Sequence, residues 1–220
     1  MWYPILIAVL TAYLLGNLNG SVCISALVAG DDVRKHGSGN AGLTNFFRSY
    51  GGASTFLVAL VDIAKTVLGC LMAGLILEPW GYYREGLMLG AVAVSLGHDF
   101  PALLGFRGGK GILCGLAAAV VIDWRIALLI LSVFVIAFAI TRYVSLGSVL
   151  AALTFAIGFA VFQNDNLPIV LGGIFLGVLA IWMHRGNIVR LIRGTESKVH
   201  LIHRDLNKGS GSGTAYQREK

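Results

Sequence analysis

The sequence predicts an all-α polytopic membrane protein with about seven transmembrane helices, some of them short. Three observations lead there. Hydrophobic residues make up 56% and charged residues 13% of 220 positions, against roughly 25% charged in a typical soluble domain. Mean hydropathy is +0.78, too high for a chain that must cover its surface with polar groups. The apolar residues also fall into long runs, several near the about 17–25 residues that a helix needs to cross a bilayer. The same composition excludes a disordered chain and a secreted disulfide scaffold. Cys23, Cys70 and Cys114 sit in apolar stretches without metal-ligand spacing and read as small buried hydrophobes.

The first run, 4–28, precedes the first basic residue, Arg34. It therefore lacks the basic segment of a signal peptide and reads as a permanent anchor. Asn17 and Asn19 within it are expected to bond between helices. The second, 53–77, carries Asp62 and Lys65 three positions apart; ionisable groups in a span are costly, and each is the other's expected partner. The third, 86–105, is crowded near its end by Gly97, His98 and Pro101. The fourth, 111–123, is cut short by Asp123, and 124–141, 144–163 and 167–184 complete the set. Five or six crossings follow if the short runs are re-entrant. Of 17 Lys and Arg residues, 14 fall on one side of this arrangement. The opposite loops hold Arg84 and Arg125 beside Glu78, Glu85, Asp123 and Asp165. The positive-inside rule then places the N-terminus outside and the C-terminus in the cytoplasm. The net charge of +6 is thus a matter of topology and no footprint of nucleic acid. Residues 1–196 read as a single transmembrane domain and 197–220 as a polar cytoplasmic tail with a Gly-Ser linker at 209–213.

The polar, glycine-rich signals concentrate on the cytoplasmic side. His36-Gly37-Ser38-Gly39-Asn40-Ala41-Gly42-Leu43-Thr44-Asn45, followed by Arg48, resembles an anion-binding loop, because glycine lets successive N–H groups turn inward. Gly97-His98-Asp99-Phe100-Pro101 leads to Phe106-Arg107-Gly108-Gly109-Lys110-Gly111 at the start of a helix, where orphan N–H groups and the helix dipole favour a negative ligand. The Walker A spacing fails, with Leu104 in place of the first glycine and Gly111 in place of Ser or Thr. Ser145 and Ser148 stand one turn apart at another helix entrance, where they either face a site or cap the helix. His184, Asn187 and Arg190 share one stripe where the last helix leaves the membrane. This constellation suits one or two phosphorylated ligands at the membrane surface. It offers no nucleophile beside a base, and no metal-binding carboxylate cluster. His200 and Asp205 form an H-x-x-x-x-D spacing in the polar tail, without apolar surroundings to hold it. A transporter for an organic phosphate would share the helices and anion loops, but inverted repeats and midplane polar groups are not evident.

The ordered motifs Gly37-Ser38-Gly39-Asn40-x-Gly42-x-Thr44-Asn45, Asp62-x-x-Lys65, Gly97-His98-x-Phe100-Pro101, Phe106-x-Gly108-Gly109-Lys110-Gly111, Ser145-Leu146-x-Ser148 and His184-Arg185-x-Asn187-x-x-Arg190 with Gly194-Thr195-Glu196 resemble the bacterial acyl-phosphate-dependent glycerol-3-phosphate acyltransferases of the PlsY type. The resemblance covers about residues 4–196, with Thr66 where the family pattern has glycine. It implies transfer of a fatty acyl group from acyl phosphate to the sn-1 hydroxyl of glycerol 3-phosphate, giving lysophosphatidic acid and phosphate without an acyl-enzyme. The setting it implies is the bacterial cytoplasmic membrane, with the site facing the cytoplasm. It further implies that Ser38, Lys110, His184 and Asn187 act at the reacting centre. Gly37, Gly39, Asn40, Gly42, Thr44, Asn45, Arg48, His98, Gly108, Gly109, Gly111, Ser145, Ser148 and Arg190 would then surround the substrates, with Asp62 and Lys65 in support. Its expected partners are acyl phosphate, glycerol 3-phosphate and membrane lipid, with no cofactor, metal, nucleic acid or obligate protein partner.

Overall fold

The computed structural model describes residues 2–198, which form ten α-helices and no strand. His200 and Asp205 lie outside the described residues. Each of the seven apolar runs is helical, with ends within a few residues of those expected. Five helical segments are long and apolar enough to cross a membrane: Trp2–Ala29, Ser54–Trp80, Tyr83–Leu104, Trp124–Thr141 and Val144–Phe162. The pair α9 (Leu167–Met183) and α10 (Arg185–Ile192), bent by 55°, makes a sixth if taken together.

The first run is broken into α1 (Trp2–Gly16) and α2 (Gly20–Ala29). In a bilayer the freed backbone groups need partners inside the protein, each unsatisfied one costing several kcal/mol. The charged pair of α4 (Ser54–Leu77) supplies them. Lys65 Nζ donates to the carbonyls of Gly16 (3.3 Å) and Leu18 (2.8 Å) at the end of α1. Asp62 Oδ1 accepts the Gly20 N–H (3.1 Å) that begins α2. A cation at a helix C-terminus and an anion at an N-terminus both match the helix dipoles. The two side chains also pair with each other at 2.8 Å. Asn17 and Asn19 bond mainly to connecting segments rather than, as expected, between helices: Asn17 Oδ1 accepts Leu103 N–H in the turn Ala102–Leu104, and Asn19 Nδ2 donates to Ala41 O in the first glycine-rich loop.

Between the spans, α3 (Leu43–Tyr50) is a short amphipathic helix that buries Phe46 and exposes Phe47. α5 (Tyr83–Asp99) packs against both α4 and α1. α6 (Ile112–Ile122) then packs against α4 and α5 and leads into α7 (Trp124–Thr141), which packs against α8 (Val144–Phe162), and α8 in turn against α9. Asp123 both ends α6 and N-caps α7, accepting from Arg125 N. Its carboxylate accepts from Gln163 Nε2 at the end of α8 (2.7 Å), so the C-terminal ends of α6 and α8 lie together. Arg84 donates to Gln163 as well, and Asn166 to Glu85 (2.6 Å). These contacts tie the helices at the face away from the glycine-rich loops. α6 has 11 residues and α8 has 19. At 1.5 Å per residue the difference is about 12 Å, so α6 begins well below the start of α8. That recess becomes the floor of the site.

Candidate active site

The two glycine-rich loops are fastened to each other. Asn40 Nδ2 and Ala41 N both donate to Gly108 O (3.2 Å each). Arg34, paired with Asp32 at 2.8 Å, donates to Leu104 O and Arg107 O. Asn45 organises the first loop from within: its Nδ2 donates to Val33, His36 and Asn40 carbonyls, and its Oδ1 accepts Ser38 N–H. Gly37 lies at φ +55°, and a Cβ there would strike Asn45 Oδ1. The expectation that this loop turns several N–H groups toward a ligand needs correction. Ser38 N–H is taken by Asn45, Gly39 N–H by His36 O and Ala41 N–H by Gly108 O.

The open donors lie elsewhere. α3, α6, α8 and α10 all begin without a side-chain cap. Residues at or beside each start (Gly42 and Leu43, Gly111 and Ile112, Val144 and Ser145, His184 and Asn187) line one cavity of about 290 Å³. Four helix N-termini without side-chain caps thus converge on it, a strong setting for anions. Ser38, Asn40, Thr44, Arg48, Lys110, Ser148 and Arg190 complete the polar wall. Below them the lining is apolar: Leu113 and Leu116 on α6, Ile130, Leu131 and Phe134 on α7, and Ala151 on α8. An adjoining compartment of about 300 Å³ shares Ser38, Asn40, Lys110, Asn187 and Arg190 and adds Gly39, Arg185 and Gly186.

Lys110 stands where the two compartments meet. Its Nζ donates to Asn187 Oδ1 at 2.5 Å. Asn187 Nδ2 donates to Glu196 Oε1 (2.8 Å), and Arg190 Nε to Glu196 Oε2 (2.6 Å). Because an ammonium only donates and a carboxylate only accepts, the Asn187 amide has one possible orientation. Burial, reinforced by the neighbouring Arg190, holds the Lys110 ammonium below the usual lysine range. Burial would raise the Glu196 carboxyl, but hydrogen bonds from Asn187 and Arg190 outweigh it and hold it below the usual glutamate range. Two histidines border the cavity. His184 Nδ1 lies 2.8 Å from Ala180 O; a carbonyl only accepts, so Nδ1 carries the proton and Nε2 offers a lone pair. His98 Nδ1 lies 2.8 Å from Lys65 Nζ. Among the described residues no group of three or more His, Cys, Asp and Glu side chains could hold a metal ion.

The sequence matches the family described as glycerol-3-phosphate acyltransferase over residues 6–194. The chain belongs to the glycerol-3-phosphate acyltransferase family. It is 41% identical to the enzyme of that name from Clostridioides difficile over 200 residues, covering 90% of this chain and 96% of the relative. It is 36% identical to the one from Thermoanaerobacter sp. (strain X514) over 197 residues, covering 90% and 96%. Among solved structures it resembles an integral membrane glycerol 3-phosphate acyltransferase, PlsY, in its glycerol 3-phosphate form. There the TM-score is 0.80 with 33% identity, over 89% of this chain and 96% of that one.

As a member of this acyltransferase family, the chain brings most of the residues singled out from sequence to one cavity. Ser38, Asn40, Gly42, Thr44, Asn45, Arg48, Asp62, His98, Lys110, Gly111, Ser145, Ser148, His184, Asn187 and Arg190 line it, and Gly39 lines the adjoining compartment. Lys65 stands behind the wall, bonded to the broken span. Gly37, Gly108 and Gly109 shape the loops from outside the lining. Both serines of α8 are buried at 6% and 4% exposure. Neither serine caps the helix; both face the site. Sequence reasoning missed Arg34, which joins the loops, and gave no role to Glu196, which orients Asn187 and Arg190. The signals for Glu196 were its place in the Gly194-Thr195-Glu196 segment of the family resemblance and a lone carboxylate in a basic segment. The apolar floor had no signal, because its leucines and phenylalanine look like any other span residues.

Proposed function

We propose that this protein transfers a fatty acyl group from acyl phosphate to the sn-1 hydroxyl of glycerol 3-phosphate. The products are 1-acyl-glycerol 3-phosphate (lysophosphatidic acid) and inorganic phosphate, in the first acylation of bacterial phospholipid synthesis. The single observation carrying this reading is a cavity with cations and uncapped helix starts at its mouth and aliphatic side chains beneath. Such a cavity suits a phosphate bonded to a hydrocarbon tail. A related protein crystallised in glycerol 3-phosphate and lysophosphatidic acid forms supports the acceptor and the product. The clustering of basic residues on the site's side supports a cytoplasmic opening.

In this reading the acyl chain lies between α6, α7 and α8. Its acyl-phosphate head rests against the starts of α3 and α6, with Ser38, Asn40 and Thr44 donating. Arg48, Asn187, Arg190 and Ser148 orient glycerol 3-phosphate. Its hydroxyl oxygen attacks the acyl carbonyl carbon, and the bond from that carbon to the phosphate oxygen breaks. Phosphate is already a good leaving group, so no covalent acyl-enzyme is required. Lys110 neutralises charge developing on the carbonyl and the departing phosphate, and positioning and electrostatics supply the acceleration. The hydroxyl proton passes to His184 Nε2, or to a phosphate oxygen of a substrate.

The test uses purified protein in detergent with acyl phosphate and glycerol 3-phosphate. Phosphate and lysophosphatidic acid should appear in equal amounts, and only when both substrates are present. Absence of both products would overturn the reading. Product formed equally well from a thioester donor would overturn the choice of acyl phosphate.

A further inference from the structure

His98 is buried at 4% exposure at the end of α5, and three groups face its Nδ1. Lys65 Nζ is 2.8 Å away, Asn19 Nδ2 3.5 Å and Asp62 Oδ1 3.6 Å. The nearest is an ammonium, which has protons and no lone pair, so it can only donate. Asp62 Oδ1 is the most distant and already accepts from Lys65 (2.8 Å) and Gly20 N (3.1 Å). Nδ1 is therefore the acceptor, and the ring proton sits on Nε2. The Nε2 edge has no protein acceptor among the described residues, and His98 lines the cavity beside Lys110. The backbone beneath keeps that edge clear. Gly109 N donates to His98 O (3.0 Å), holding the loop against the ring, and a Cβ built on Gly109 would collide with Nε2.

We infer that Lys65 is a positioning residue: by donating to Nδ1 it fixes His98 in the Nε2–H form, and His98 then donates a hydrogen bond to an anionic phosphate oxygen in the cavity. This rests on the reading that the cavity takes phosphorylated ligands, and it gives the intramembrane Asp62–Lys65 pair a second duty beyond bridging the broken span. The site then holds two histidines in opposite forms. His98 is a fixed donor held by an ammonium, and His184 is an acceptor held by a carbonyl. One suits the phosphate, the other the hydroxyl that must lose a proton.

The test is nitrogen NMR of the full chain, labelled with 15N-histidine, in detergent micelles. Two-bond 15N–1H correlations report which ring nitrogen carries the proton, and His98→Phe assigns the signal. Without ligand, His98 should show the Nε2–H pattern; an Nδ1–H pattern would overturn the inference. Titration with inorganic phosphate, then with glycerol 3-phosphate, should shift the His98 Nε2 signal. A shift confined to His184 would overturn the contact but leave the phosphate reading standing, whereas silence at both histidines would overturn that reading and the contact with it. In kinetics, His98→Phe should raise KM for a phosphate-bearing substrate roughly 10- to 100-fold with little change in kcat, the worth of one hydrogen bond to a charged group. His98→Gln, whose amide N–H can replace Nε2–H, should recover most of that loss. Removing both buried charges together (Asp62→Asn with Lys65→Met) leaves no lone ion, and should release His98 into a mixture of both ring forms. An unchanged Nε2–H pattern in that variant would overturn the role of Lys65. If the double variant does not fold, the wild-type pattern and the His98→Gln recovery still decide the question.

Discussion

The two faces of this protein differ in how most of their helices begin. Away from the site, α7 and α9 begin on side-chain caps from Asp123 and Asn166, and only α5 there lacks one among the described residues. The arginines there are paired as well, Arg125 with Asp123 at 2.7 Å and Arg84 with Asp165 at 3.6 Å. At the site face α3, α6, α8 and α10 begin with no side-chain cap. Among the described residues Arg48 there reaches only a backbone carbonyl, Ser197 O at 3.4 Å, although Arg190 pairs with Glu196. An uncapped N-terminus normally lowers stability by about 1 kcal/mol relative to a capped one. Four of them around one cavity make sense if a ligand completes the bonding. The capped face holds the helices together so that the uncapped face can stay open.

Each side of that comparison can be broken. The largest effect is expected at Lys110, where the compartments meet. Lys110→Ala should lower kcat/KM about 10²- to 10³-fold while the detergent elution profile and helix content stay unchanged; near-normal turnover would remove the second loop from the site. Next is His184→Asn, expected to lose about 10²-fold at every pH if Nε2 is the proton acceptor. Substantial residual activity would assign the proton to a substrate phosphate instead. Lys110 also sets the alkaline limit. Its ammonium is held below 10.5 by burial and Arg190, so kcat/KM should fall with rising pH before an ordinary lysine would titrate. Lys110→Arg should remove that limb wherever activity survives, because arginine stays protonated.

At the opposite face, Asp123→Asn should cost stability, about 1–3 kcal/mol for a buried, hydrogen-bonded carboxylate, measured as an earlier thermal transition in detergent. Turnover at low temperature should be unchanged; a large loss of turnover would mean that the two faces are coupled. The smallest effect is expected in the tail: replacing His200 and Asp205 together by alanine should leave activity within about twofold, as for ordinary surface positions. A larger loss would give the H-x-x-x-x-D spacing a role.

The apolar runs, their ends and the sidedness of charge were legible because a bilayer imposes length and composition on each span separately. The loops that carry the site were legible for a related reason: glycine, asparagine and lysine clustered at helix entrances have few other uses. Two readings needed the folded chain. The nest expected in the first loop is occupied by Asn45, His36 and Gly108, since a loop that holds its own shape spends its N–H groups internally. The intramembrane pair Asp62–Lys65 was visible, but its task was not, because the break in the first span depends on carbonyls and an N–H some 45 residues away.

By itself, then, the sequence determined a polytopic all-helical membrane protein with its polar, glycine-rich loops gathered at one face. Those properties are local: each depends on a run of residues and its solvent. Tertiary structure alone decided that four helix starts share one cavity, that short α6 lowers its floor into the apolar layer, and that Glu196 and Lys65 stand behind Asn187 and His98. These depend on which distant segments meet, and a hydrogen bond's direction, unlike hydropathy, exists only once both partners are in place.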